Sequence, residues 1–93
     1  MIHFVLHDAR DSVAVVVVEG VAAGTVMTGW IMDEDRMIDV TALQDIPIGH
    51  KVALADMAVG DTVLKYGFDM GKVVAPIKKG EHAHVQNIKT RRW

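Results

Sequence analysis

Ala55-Asp56-Met57-Ala58-Val59-Gly60-Asp61 and Ala75-Pro76-Ile77-Lys78-Lys79-Gly80-Glu81 carry one order of residue types: small, any, apolar, two further residues, glycine, acid. Their glycines stand twenty residues apart, and the glycine of a looser copy, Glu19-Gly20-Val21-Ala22-Ala23-Gly24-Thr25, lies thirty-six residues before the first. In such a turn the apolar side chain pins the loop to a core, and glycine takes a positive φ that a Cβ disfavours. A tight corner used repeatedly points to a β domain, and its irregular spacing argues against a solenoid.

The residues between these corners agree. Val and Ile number twenty-two and Leu only four, a β-branched bias that favours pleated structure over helix. Strands are expected at Ile2–His7, Val13–Glu19, Thr25–Met32, Met37–Ala42, Lys51–Ala55, Thr62–Tyr66, Lys72–Val74 and His82–Ile88, bounded by Gly, Pro or Asp-rich turns. Ile38-Asp39-Val40-Thr41 alternates cleanly, whereas Val15 to Val18 does not, which predicts a strand covered on both sides. Asp33-Glu34-Asp35-Arg36 reads as an exposed hairpin connection. No window of eleven or more residues shows a helical stripe.

Composition bounds the function. Ninety-three residues with 51% hydrophobic content, 24% charged residues and a net charge of −2 suit one domain, 1–93. A chain of this size buries about 60% of its unfolded surface and cannot wall a large cavity, so a partner is expected if it serves an enzyme. Zero cysteines exclude a disulfide framework and a thiolate zinc cluster. Ser12 to Met32 holds one charge, Glu19, but Gly20, Gly24 and Gly29 make it read as paired strands, not a membrane span. No basic lead precedes an apolar stretch, so a signal peptide is not supported and a soluble, cytoplasmic protein is expected. Residues 1–71 carry four Lys/Arg against eleven Asp/Glu, a balance of −7, whereas residues 72–93 carry six against one, or +5. The basic end suits an anionic substrate or partner. No interleaved basic and aromatic pattern accompanies it, which disfavours nucleic acid.

Few residues offer chemistry. His82 and His84, one apart in an expected strand, share a face with Gln86, and two imidazoles on one face begin a divalent-metal site that still needs a third ligand and an open position. Gly49-His50-Lys51 follows Pro47-Ile48 at a strand entrance, where a histidine can transfer protons near neutral pH and a lysine can hold a carboxylate. Tyr66 stands at a strand end before Gly67, and Asn87 has the opposite parity to His84. The bland alternative at each position is a polar residue on an outer strand or turn rim. His3 and His7 receive no role. No phosphate loop, nucleophile elbow or dinucleotide fingerprint is present.

Taken in order, Gly49-His50-Lys51, Leu54-Ala55-Asp56, Gly60, Lys65-Tyr66-Gly67, Gly71 and Gly80-Glu81-His82-Ala83-His84-Val85-Gln86-Asn87 resemble the SAF (β-clip) domain of the altronate dehydratase family, most densely over residues 48–93. The closing Asn87-Ile88-Lys89-Thr90-Arg91-Arg92-Trp93 is similar to the end of the separate small subunit in the family's sulfolactate-cleaving branch. The resemblance implies an all-β, β-clip fold. It also implies a lyase that removes water from a sugar acid or sulfite from a sulfonated hydroxy acid, with iron(II) as the divalent metal and a large catalytic subunit as partner. It further implies proton-transfer roles for His50, Lys51 and Tyr66, substrate contacts for Gln86 and Asn87, and metal ligation by His82 and His84. One departure stands out: the family commonly reads His-x-His-x-His-Asn, and Gln86 replaces the third histidine, a poor transition-metal ligand. A second reading is a β-clip module that binds an anionic carbohydrate or a protein without chemistry, since folds host unrelated functions. Sheet edges in so small a domain need cover, which a homo-oligomer would give as well as a partner.

Overall fold

Four glycines at positive φ close four corners of one design. In the computed structural model, which describes residues 1–65, 68–83 and 88–90, Gly24, Gly49, Gly60 and Gly80 have φ of 92, 83, 93 and 91°. In each corner the amide after glycine donates to the carbonyl three residues back: Thr25 to Ala22, His50 to Pro47, Asp61 to Ala58, Glu81 to Lys78. The glycine N–H and the next carbonyl then clamp both backbone groups of one buried residue. Gly24 and Thr25 hold Ala42, Gly49 and His50 hold Val16, Gly60 and Asp61 hold Val73, and Gly80 and Glu81 hold Ala53.

The corners work in reciprocal pairs. The corner after Val16 clamps Ala42, and the corner after Ala42 clamps Val16; Ala53 and Val73 are linked in the same way. Each pair forms a clasp, closed by the bridge Val21↔Ile46 in the first and Met57↔Ile77 in the second. The pinning side chains serve separate cores, Val21 and Ile46 one, Met57 and Ile77 the other. Asp45-Ile46-Pro47-Ile48-Gly49-His50 is therefore a fourth copy. Gln44 and His50 hid it by occupying the template's small and acidic places.

Nine strands are described: β1 (Phe4–Leu6), β2 (Val13–Val16), β3 (Val26–Ile31), β4 (Arg36–Thr41), β5 (Lys51–Ala53), β6 (Thr62–Lys65), β7 (Phe68–Val73), β8 (His82–Ala83) and β9 (Ile88–Thr90). They form a six-stranded sheet, β4-β3-β1-β2-β5-β8, and a three-stranded sheet, β6-β7-β9. Among the described residues only the β1–β3 pairing is parallel. Phe4, Leu6, Ala14, Val16, Met27, Ile31, Val40 and Val52 fill the first core, while Val13, Ala53, Val63, Val73 and Ala83 fill the second. Neighbours along β2 and β5 thus face different cores, as strand alternation requires. Ser12 adds a polar stitch between the sheets: its N–H donates to the Leu64 carbonyl, and its Oγ accepts the Leu64 N–H.

The all-β expectation holds, and among the described residues no helix is long and apolar enough to cross a membrane. Two expected strands differ by three residues or more at one end. β2 stops at Val16, and Val17 is 42% exposed, so cover on both sides applies to Val13-Ala14 and not to Val15–Val18. The cause is the first corner, which draws the chain off the sheet. β7 begins at Phe68, four residues before the expected Lys72, because a register shift opposite Val63/Leu64 carries the strand on through Gly71. The expected strand His82–Ile88 corresponds to β8 and the start of β9, and residues 84–87 lie outside the described residues.

Candidate functional site

The site begins at a corner whose acid is missing. Asp61 Oδ2 accepts the Ala58 N–H at 2.8 Å and Glu81 Oε1 accepts the Lys78 N–H at 2.6 Å, so each carboxylate closes its own turn. The equivalent position in the second corner is His50. Its ring reaches β8, where Nδ1 lies 2.8 Å from Nε2 of His82. The ring centroids are 5.0 Å apart with planes tilted by 35°. Antiparallel pairing places Val52 opposite His82, making His50 and His82 diagonal neighbours across β5 and β8. Such a contact needs a proton on one of the two nitrogens and a lone pair on the other. Both residues are half-buried.

Lys51 opens β5 between Val15 of β2 and Ala83 of β8; alternation sets it on the face opposite Val52. Tyr66, His84, Gln86 and Asn87 lie outside the described residues. Sequence reasoning missed Gln44, whose Oε1 accepts the His82 N–H at 2.8 Å. No motif marks it, since the contact spans thirty-eight residues and comes only from folding. His3, given no role, is an internal fastener: its Nδ1 accepts the Thr28 N–H at 3.0 Å beside the β1–β3 pairing.

Imidazole nitrogen suits iron(II) and its neighbours in the transition series, and His50 and His82 bring two such groups together. Among the described residues no three His, Asp or Glu side chains are grouped to hold a metal ion. The pair therefore fits part of a ligand set, not a whole one.

The altronate/galactarate dehydratase SAF domain family matches residues 2–91. The chain is 56% identical over 92 residues to the (2R)-sulfolactate sulfo-lyase subunit alpha of Chromohalobacter salexigens, covering 99% of this chain and 98% of that protein. It is also 56% identical over 54 residues to the subunit of the same name from Paracoccus pantotrophus, covering 58% of this chain and 81% of that protein. Altronate dehydratase of Escherichia coli is 40% identical over 82 residues, which are 88% of this chain but 15% of that protein. The name subunit alpha implies a partner subunit of the same lyase, whereas in altronate dehydratase the domain is a small part of one long chain. With its repeated corners, all-β sheets and match along nearly its whole length, this chain belongs to the altronate/galactarate dehydratase SAF domain family.

Proposed function

We propose that this chain is the small subunit of a two-component lyase that releases sulfite from a sulfolactate-type acid, in an active site completed by a large subunit. The observation that carries the reading is the degree of likeness: 56% identity over 92 residues to a sulfolactate sulfo-lyase subunit alpha, against 40% over 82 residues to altronate dehydratase. Loss of water from a sugar acid of the altronate or galactarate type is the alternative reaction of the same assembly.

Both eliminations have the same logic. A base removes the C–H proton next to the substrate carboxylate, and the freed electron pair forms the carbon–carbon double bond. The bond to the leaving group breaks with its electrons, releasing sulfite, or hydroxide that is protonated to water. The resulting enol takes up a proton on carbon and becomes a 2-keto acid. A histidine pair sharing a proton suits this, because one ring nitrogen can take a proton while the other ring supplies one. Tyr66 is assigned to proton transfer, Gln86 and Asn87 to hydrogen bonds with the substrate, and Lys51, on the other face of β5 from the histidine pair, to charge balance. A divalent metal, iron(II) first, held by His82 and His84 together with groups from the large subunit, would supply electrophilic stabilisation of the charge that builds on the carboxylate. His50 then serves to orient His82.

The test is an assay of (2R)-sulfolactate and altronate with the small chain, the large subunit and their mixture. Sulfite release is expected from the mixture alone. Turnover by the small chain by itself would overturn the reading.

A further inference from the structure

We infer that Gln44 is a positioning residue, holding edge strand β8 so that His82 meets His50. His50 belongs to the first clasp and His82 follows the last corner of the second, so their separation is set by how the clasps join. Beside the β5–β8 pairing that sets the two histidines on a diagonal, three contacts tie residues 41–44, which follow β4, to residues 80–82. Gly80 lies so close to the first clasp that a Cβ on it would stand 2.2 Å from the Thr41 carbonyl oxygen. The Leu43 N–H donates to the Gly80 carbonyl at 2.9 Å. The third is the Gln44 bond to the His82 N–H.

The third contact is the one that bears on the imidazoles. Among the described residues β8 comprises His82–Ala83 and stands at the edge of its sheet, where a strand has amides that no neighbouring strand can satisfy. The His82 N–H is taken by the Gln44 side chain. The donor is a backbone N–H, so the amide oxygen of Gln44 must face it, which fixes the orientation of that side chain. The same contacts carry the chain from β4, at one edge of the six-stranded sheet, onto β8 at the other. Leu43 contributes a backbone group that nearly any residue would supply. Gln44 contributes an acceptor at one reach, which Glu keeps, Met lacks and Asn holds one methylene short. For its kinetic consequence the inference rests on the lyase reading; for its geometric core it does not.

The test compares Gln44→Met, Gln44→Asn and Gln44→Glu in the full chain. Amide exchange at His82 should quicken at least tenfold in the Met and Asn variants. The imidazole nitrogen resonances of His50 Nδ1 and His82 Nε2 should move toward unpaired values, with the rest of the spectrum unchanged. Assembled with the large subunit, both variants should lose at least fivefold in kcat with KM within twofold, and Gln44→Glu should restore all three readouts. Paired imidazole resonances that persist in Gln44→Met would overturn the inference whatever the activity. Absence of turnover from the wild-type assembly would instead contradict the lyase reading, leaving the resonances to decide the role of Gln44.

Discussion

Nδ1 of His50 lies 2.8 Å from Nε2 of His82, although thirty-two residues separate them and each ring comes from a different clasp. The second corner has a histidine where both corners of the second clasp have a turn-closing carboxylate. The equivalent donor position in this corner is Pro47, which has no N–H, so no turn-closing bond is open to residue 50 and its side chain reaches another strand instead. His50→Asp removes the contact to His82 and gains no turn-closing bond in return, because Pro47 offers no N–H. The substitution should lower the unfolding free energy by about 0.5–1.5 kcal/mol, the usual net worth of an internal hydrogen bond, while turnover of the assembled lyase falls at least a hundredfold, within the range general acid–base groups contribute. Urea denaturation and a sulfite assay read the two effects.

Glycines in this chain serve two different needs. A Cβ at Gly29 would stand 1.9 Å from Cε1 of the fully buried Phe4, whereas one at Gly60 would meet nothing within 4 Å. Gly29→Ala forces a buried ring off its seat between the parallel strands β1 and β3, at a cost of about 1–3 kcal/mol or more. Gly60→Ala has the space but keeps a φ of 93°, and should cost about 1–2 kcal/mol. A cavity-forming second change, Phe4→Leu, should recover part of the loss in Gly29→Ala and none in Gly60→Ala. Chemical denaturation of the four variants checks the pattern.

Asp8 is held well below its ordinary carboxylate value of 3.8, at about 2, first by its side-chain hydrogen bonds to the Arg10 guanidinium and then by the Arg10 backbone N–H. Because the folded value is the lower one, the contact favours the native state above pH 3.8, and that contribution disappears as pH falls through about 2. Carboxyl resonances followed by NMR should place the Asp8 midpoint near 2, and Arg10→Ala should return it toward 3.8. A midpoint unmoved by that substitution would contradict the assignment.

How far the fold was legible follows from the distances involved. The corners at Gly24, Gly60 and Gly80 are local, since glycine and an apolar pin within a few residues suffice to mark them. The corner at Gly49 was hidden because its final residue serves His82 and not its own turn. Pairing of β1 with β3 in parallel, and the joining of 41–44 to 80–82, depend on contacts between remote residues that no periodicity encodes. The same limit applies to the site. His50 and His82 were each singled out from their surroundings, but their pairing was not, and Gln44 carries no motif. His3 was passed over because an acceptor for a distant backbone amide looks, in sequence, like any strand histidine.

The proposed lyase places the histidine pair in an active site that a large subunit completes. The most direct measurement titrates a fixed amount of large subunit with the wild-type chain and with His82→Ala, following sulfite release from (2R)-sulfolactate. Both should saturate at the same small-chain concentration, with the variant plateau at least a hundredfold lower. A His82→Ala plateau equal to that of the wild type would contradict that placement.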